Sequence, residues 1–403
     1  MSVTRENDPA ALRAAMVVSL RNQGLLHDED VARALSVVPR HLFAPGETDL
    51  KRVYDTHTTL EAVHFADGRQ SSVVSASHIQ AIQLEMAGIE PGMRVLEIGS
   101  GGYNAALIAE LVGPTGSVTS VDIDEGVVDR ARACLNEAGY SQVNVVLADA
   151  EHGVPAHAPY DRILVTVGAF DIPPAWFEQL TDNGLLVVPL RFSGITRLIT
   201  FGRTGDILTA SNYRLAAFVP MQGDGAATEQ LIQLTDDIGL VVDPQHKADF
   251  NLAALREALH RPPVDLWAGT PFDMPDELAL FQLTTGGPGM VMLRAAQKAV
   301  DEGLVDPAVR HGMPVLVQGG SFAYRIKRKS DNQPGGYEAG VRAHGSDAEK
   351  VGQQMLQLIR AWGTDHFYRG AASITYYPAE ADTAGLTGWR SEKPHGTLAV
   401  SWS

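Results

Sequence analysis

The stretch Arg94 to Gly113, RVLEIGSGGYNAALIAELVG, joins an apolar run to a glycine cluster and then to apolar residues at helical spacing. Strand, glycine turn and helix in that order confine the chain to few folds, because the turn leaves a helix N-terminus and bare backbone N–H groups facing the strand end. From Ser75 onward the text keeps alternating. Helix-like ASHIQAIQLEMAG leads to strand-like MRVLEIG, helix-like YNAALIAELVG, strand-like SVTSVDI, helix-like EGVVDRARACLNEAG, and strand-like VNVVLAD and YDRILVTVG. Strands alternating with helices predict an α/β fold with a doubly wound, Rossmann-like parallel sheet. PPAWFEQL then predicts a helix, GLLVVPLRF a strand, and ITRLITFGRTGDILTASNYRL a hairpin closing the sheet edge.

Residues 1–50 read as helical, with Ala11 to Arg21 and Asp28 to Val38 apolar at helical spacing and Gly24 and Pro39 as breaks. Residues 51–74, rich in Thr, Ser and His, predict loops beside a functional site. The pattern lapses into Gly and small polar residues from Val219 to Gln230, which divides the chain into domains over 1–225 and 226–403. The second domain reads as α+β. It has helices at DFNLAALREALH, GMVMLRAAQKAVDEG and DAEKVGQQMLQLIRAWG, and strands at MPVLVQGG, FAYRIKRK, YEAGVRA, ASITYYP and GTLAVSW.

A length of 403 residues suits two such domains. The net charge of -16 argues against general binding to nucleic acid or an anionic membrane, since both would be repelled at long range. Cys134 is the single cysteine and makes no internal disulfide. No apolar secretion core or bilayer-length run is found, so the expected location is cytoplasmic.

Dehydrogenases and methyltransferases both use a glycine turn of this kind. The dinucleotide fingerprint needs glycine at its first, third and sixth positions; counting from Gly99 the sixth is Asn104, and the fingerprint fails. What remains is Glu97, Gly99, Ser100 and Gly101, an E-x-G-x-G loop. Asp122 ends the next strand, where a carboxylate accepts hydrogen bonds from ribose hydroxyls, and Asp149 ends the third, within reach of an adenine amino group. Asp161 opens the fourth strand and Thr166 lies near its end. Each Asp has a plainer role as a helix cap. Their ordered recurrence favours a nucleoside site.

VPRHLFAP, VYD, SSVVSAS, VLEIGSGGYNAA, VTSVD, YDRILVTVGAFDIP and LTDNGLLVVPL, in this order over roughly residues 30 to 205, resemble the protein-L-isoaspartate O-methyltransferases. The resemblance implies a class I methyltransferase that uses S-adenosyl-L-methionine, leaving S-adenosyl-L-homocysteine, to esterify a peptide carboxylate. It places Glu97, Gly99, Ser100, Gly101 and Tyr103 about the cofactor's amino-acid end, Asp122 and Ile123 at its ribose, Asp149 and Ala150 at its adenine, and Thr166 on the matching strand. Two departures stand out. The family's GTGSGY loop is here GSGGY, one residue shorter, and its GQTIS-x-P segment is matched by SVVSAS, with Ser75 on the Ser, Val73 for the Thr and Ser77 for the Pro.

A carboxylate is already ionised near neutral pH, so attack on a sulfonium methyl asks for alignment, exclusion of water and a neutral donor rather than a strong base. Ser75 is the candidate donor, with Ser72 and Ser77 behind it, and SAS before a helix is also a capping pattern. His57 and His64 are candidate substrate contacts. Thirteen histidines show no metal-ligand spacing, so no metal is expected, and the loop lacks the G-x-S-x-G of a serine hydrolase. Arg325, Lys327, Arg328 and Lys329 in YRIKRKS form either a solvated strand face or a site for an acidic peptide.

The appended region from Glu229 is similar in layout to the long actinobacterial FxLD-system variants of the family, associated with lanthipeptide maturation. That likeness implies a modified precursor peptide as partner, with an ordinary Asp as acceptor, the ester closing to a succinimide and opening to isoaspartate, and a second domain that grips the peptide. Repair of isoaspartate in proteins is the first alternative. A non-catalytic cofactor-binding protein is the second, and an oxidoreductase is more distant.

Overall fold

The computed structural model of the chain describes residues 7–64, 70–99, 101–244, 250–309, 312–363 and 371–402. Two compact units emerge: Met1–Arg191 with Thr196–Ala226 and Pro394–Gly396, and Phe192–Ile195 with Ala227–Lys393 and Thr397–Ser403. The sequence boundary at 225/226 falls beside the crossing at Ala226.

The first unit opens with α1 (Pro9–Asn22), α2 (Glu29–Val37) and the single turn α3 (Leu50–Val53). The Asp8 carboxylate accepts from Ala10 N at 3.1 Å and Pro9 occupies the first helical position, so a cap and a residue that lacks an N–H together start α1. Asp28 caps α2 in the same way through Val31 N, at 2.9 Å. Met16, Val17 and Leu20 from α1 and Val31, Ala34 and Leu35 from α2 are buried in the unit's core.

A hairpin of β1 (Leu60–His64) and β2 (Gln70–Val74) follows. Of the loops expected over 51–74, residues 54–59 are irregular while 60–64 and 70–74 are strands; the Thr- and Ser-rich text carries no period-2 apolar signal, and this pair stands as a sheet of its own. The chain then winds through α4 (Ser77–Ala87), β3 (Arg94–Ile98), α5 (Tyr103–Val112), β4 (Ser117–Asp122), α6 (Glu125–Glu137), β5 (Asn144–Leu147), β6 (Tyr160–Val165), α7 (Pro174–Glu178), β7 (Leu180–Phe192), β8 (Ile195–Thr204) and β9 (Ile207–Leu215). Their strand order is β9-β8-β7-β6-β3-β4-β5. β3 lies between β4 and β6, parallel to both, and is buried from Val95 to Ile98 because helices cover both faces. β8 and β9 form the expected antiparallel hairpin. Winding reverses direction between β3 and β6, and in open α/β sheets a ligand crevice forms at that switch point.

The second unit holds β10 (Gln230–Gln233), β11 (Ile238–Val242), α8 (Leu252–Ala258), β12 (Val264–Pro271), α9 (Pro275–Thr285), β13 (Met290–Ala295), α10 (Gln297–Asp301), β14 (Met313–Gln318), β15 (Ser321–Lys329), β16 (Tyr337–His344), α11 (Ala348–Ala361), β17 (Ser373–Pro378), β18 (Trp389–Lys393) and β19 (Gly396–Ser401). Seven of these strands form an antiparallel sheet ordered β10-β11-β13-β14-β15-β16-β12. One face packs on α9 and α11 through Ala323, Ala339 and Val341; the other, bearing Phe322 and Tyr324, packs on α8. The helix expected over GMVMLRAAQKAVDEG is instead strand β13 followed by the short α10. Met290 to Leu293 are buried on both sides of a central strand, and a continuous apolar run reads alike for a buried strand and a buried helix.

Candidate active site

At the switch point the backbone conformation is dictated by glycine. Gly99 has φ of 94°, and a Cβ there would lie 2.5 Å from the Thr166 hydroxyl. Thr166 closes this end of β6: its hydroxyl donates to the carbonyls of Ile98 and Gly99, each at 3.0 Å, and its N–H donates to Ile98 O at 2.8 Å. Gly102, at φ of 81°, caps α5, and a Cβ there would press to 3.1 Å from the ring of Phe43. The glycine turn is thus clamped between the end of β6 and the N-terminal helical segment.

Val74, Ser75, Gln80, Gln83, Glu97 and Asn104 line one cleft, together with Gly99, Gly101, Tyr103 and Thr166. Glu97 is fully buried, and Ser120 donates a short hydrogen bond to its Oε2. Burial pushes its pKa up to about 7, against the hydrogen-bonding influence of Ser120 and of Asn104 beside it, with Asp122 adding a further upward push. Among the described residues its Oε1 and both polar atoms of the Asn104 side chain meet no partner in hydrogen-bonding geometry, although the Asn104 amide stands near enough to Glu97 to favour its charged form. Buried polar atoms are ordinarily satisfied, and the ammonium and carboxylate of a methionine moiety would satisfy these. A pair of unspent acceptors and one amide donor, beside bare backbone at Gly99 and Gly101, therefore fits the amino-acid end of S-adenosylmethionine.

The residues expected to meet adenosine lie along the neighbouring strand ends. Asp122 is level with Leu147 across β4 and β5, and its Oδ1 accepts from Asp124 N at 3.0 Å. Ile123 is exposed beside it. Asp149 accepts from Glu151 N at 2.9 Å and from Asp224 N at 2.8 Å, so the capping role and a tie to the 223–225 turn are both realised. Ala150 is buried, and its carbonyl accepts from Trp176 Nε1 at 2.7 Å. Glu151 meets His395 Nε2 at 2.7 Å. Ser100 lies outside the described residues. Asp161 is at the opposite end of β6, where it accepts from Arg94 N at 2.8 Å.

Of the acceptor-side candidates whose side chains are described, Ser75 alone lies on the cleft. Neither Ser75 nor Ser77 caps α4: its N-cap is Ala76, without a side-chain hydrogen bond. Ser77 is buried, and its hydroxyl donates to Met16 Sδ at 3.0 Å. His57 is exposed, with Nε2 at 2.6 Å from Gln23 Oε1 and its ring 4.5 Å from that of His78. Ser72 faces Val63 and His64 faces Gln70 in the β1–β2 register, and for these two only the strand backbone is described.

Sequence reasoning passed over Arg40, which is fully buried. Its guanidinium donates to Ser75 O at 2.9 Å, Val53 O at 2.9 Å, Gln80 Oε1 at 2.9 Å and Thr58 O at 3.5 Å, and its Cζ lies 5.0 Å from the Tyr103 ring centre. Burial lowers its pKa, and the same burial drives the Tyr103 hydroxyl up to about 12. Neutral acceptors satisfy a charge that no carboxylate cancels, and they fix the backbone of Ser75. VPRHLFAP held the clue, but only as part of a resemblance.

A larger cavity of ≈ 600 Å³ is lined by Arg33, Pro91, Gly113, Pro114 and Ser117. It sits where β3 and β4 begin, away from the switch point, and is set aside as the site. Among the described residues no group of three or more His, Cys, Asp or Glu is placed to hold a metal ion, and no helix is long and apolar enough to cross a membrane.

A parallel sheet in this order, with acids at successive strand ends and a glycine cleft at the switch point, defines a class I S-adenosylmethionine-dependent methyltransferase. The model of the protein-L-isoaspartate(D-aspartate) O-methyltransferase family matches residues 11–226. The chain belongs to that family, and it is a protein carboxyl O-methyltransferase. It is 39% identical over 209 residues to the protein-L-isoaspartate O-methyltransferase of Methanococcoides burtonii, covering 52% of this chain and 98% of the relative. It is 37% identical over 215 residues to that of Methanopyrus kandleri, covering 53% and 92%. A solved structure described as a protein-L-isoaspartate O-methyltransferase matches 97% of this chain and 99% of its own, at a TM-score of 0.52 and 22% identity. That likeness concerns the fold, and it extends over both units.

Proposed function

We propose that the protein methylates the free carboxylate of an L-isoaspartyl residue in peptides or proteins. The observation that carries this reading is the placement of Ser75, a hydroxyl in the same cleft as Glu97, Gly99 and Asn104 and braced by Arg40, in a chain whose relatives bear the isoaspartate name.

S-adenosylmethionine supplies the electrophilic methyl group. Glu97, Gly99, Gly101 and Asn104 would hold its amino-acid end, and Asp122 and Asp149 its adenosine. The Ser75 hydroxyl donates to one oxygen of the acceptor carboxylate and leaves the other free to attack; a neutral donor orients the nucleophile without taking its charge. The oxygen–carbon bond forms as the carbon–sulfur bond breaks, and its electron pair stays on sulfur. No proton needs to be removed, so no general base is assigned. The uncancelled charge of Arg40 favours a carboxylate nearby. The ester then reacts without the enzyme: the following amide nitrogen attacks its carbonyl, methanol departs, and water opens the succinimide to Asp or isoAsp.

The narrower reading, an ordinary Asp in a lanthipeptide-type precursor, is favoured by Val73 and Ser77 in the acceptor segment. The second unit does not argue for it, because the two-unit fold also occurs in the solved structure with the isoaspartate description. The deciding experiment offers matched linear peptides bearing Asp or isoAsp, and a cyclised precursor peptide, and follows methyl gain and later methanol loss by mass. Methylation of the isoAsp peptide well above the other two is expected. Equal or better methylation of either Asp substrate overturns the assignment.

A further inference from the structure

The four cations of YRIKRKS do not share one fate. Arg328 is taken by Glu338, which accepts from Nε at 2.8 Å and Nη2 at 2.6 Å, while its Cζ stacks 4.1 Å from the Trp267 ring centre. Arg325, Lys327 and Lys329 alternate with it along β15 and so point to the other face. Among the described residues none of these three forms an ion pair.

Arg325 is 1% exposed. Among the described residues its side chain makes one hydrogen bond, from Nη2 to Pro275 O at 3.1 Å, while Nε and Nη1 meet no acceptor. Burial lowers its pKa to about 10, opposed only by the charge of Asp276 in the first turn of α9. Phe272 stands beside it, ring centre 5.6 Å from Cζ, and Lys327 Nζ lies 5.4 Å from the rings of both Phe272 and Tyr337. Between Phe272 and Pro275, Met274 adopts a left-handed φ of 41° and starts α9 without a side-chain cap. A buried cation with two idle donors is costly to keep, and strain in the adjoining turn adds to that cost; both are ordinary where a ligand completes the site.

We propose that Arg325 and Lys327 form a carboxylate anchor for an acidic segment of the peptide substrate, separate from the methyl-transfer cleft. An edge of the guanidinium, Nη2 with either Nε or Nη1, presents two roughly parallel N–H donors that match the two oxygens of an Asp, Glu or C-terminal carboxylate, and the second Nη2 hydrogen stays on Pro275 O. Lys327 adds a second, exposed charge, and the Phe272 and Tyr337 rings lie beside its Nζ. A net charge of -16 repels a nucleic acid at long range, whereas a short acidic segment needs only this local row. The peptide as ligand rests on the methylation reading; the anion site itself does not.

The test uses the full chain and two fluorescent peptides, each with one isoAsp residue, one carrying an Asp–Glu cluster and its twin carrying Asn and Gln in those places. Fluorescence anisotropy gives both dissociation constants. The unaltered protein is expected to bind the acidic peptide about tenfold tighter than its twin, as for a desolvated charge pair, and Arg325→Met and Lys327→Gln each to erase most of that ratio. Lys327 is exposed, so Lys327→Gln carries the test even if Arg325→Met fails to fold. An undiminished ratio in Lys327→Gln, no preference in the unaltered protein, or equally tight binding of a single-stranded oligonucleotide of the same charge overturns the anchor. Absence of methyl transfer to either peptide would instead sink the methylation reading, and it leaves the affinity ratio to be judged by itself.

Discussion

Glu97 shows how one side chain can set the pH response of the molecule. Its folded pKa of about 7 lies above the 4.5 of the free carboxyl, so between those values the folded chain holds a proton that the unfolded chain has released. The stabilising contribution of the neutral group is complete below pH 4.5 and is lost as pH rises through about 7. Glu97→Gln keeps the shape of the protonated acid at every pH. In the absence of cofactor its unfolding free energy is therefore expected to exceed that of the unaltered protein by up to about 3 kcal/mol at pH 8. The two should converge below pH 4.5. Urea titrations at both pH values decide it, and a Gln variant less stable at pH 8 would mean that Glu97 is charged in the fold and satisfied by its neighbours. Asn104 belongs to the same reasoning. In the sequence it served only to reject a dinucleotide fingerprint, and folding turned it into a buried amide with both ends unspent.

Among the elements, the segment between β2 and α4 holds Ser75, the proposed acceptor-side donor, and it is held by a residue far away in sequence. Arg40 reaches Ser75, Gln80, Val53 and Thr58 together. A lysine has neither the fork nor the reach to satisfy four acceptors. Arg40→Lys is expected to lower kcat about tenfold, a barrier change near 1.4 kcal/mol, and Ser75→Ala at least as much. Cofactor affinity, read by calorimetry, should change by less than about threefold in both, because the contacts removed lie on the acceptor side. Equal losses in cofactor binding and turnover would show that the segment serves the cofactor instead. The alternating α/β part is legible because its parallel strands are short runs rich in Val, Leu and Ile, with glycine or Asp close by, set between helices that keep their period. Legibility failed where a local pattern is shared by two structures: β13 reads like a buried helix, and β1 and β2 read like loops. Arg40 escaped notice because a charged residue in a helical segment looks exposed until tertiary contacts bury it. Ser77 is a backup donor through its place in SVVSAS, yet in the first turn of α4 its hydroxyl donates to Met16.

Across the whole molecule, two cores of different construction share one chain, a parallel sheet between helices and an antiparallel sheet with a helix layer on each face. A ligand stabilises only the structure that binds it. Saturating S-adenosylhomocysteine is thus expected to slow amide hydrogen exchange in β3, β4, the first turn of α5 and the 149–151 turn, and to leave β13 to β16 unchanged. Exchange measured by mass spectrometry resolves these peptides. Comparable slowing in β13 to β16 would show that the cofactor orders both units.

The closeness of the Phe43 ring to the backbone at Gly102 limits what the glycine turn can carry. The glycine turn here is one residue shorter than the family's GTGSGY, and the ring of Phe43 fills the space against which the shorter turn closes. A side chain at residue 102 therefore meets two obstacles at once, a left-handed backbone and the ring of Phe43, so even a methyl group there asks the N-terminal segment to move.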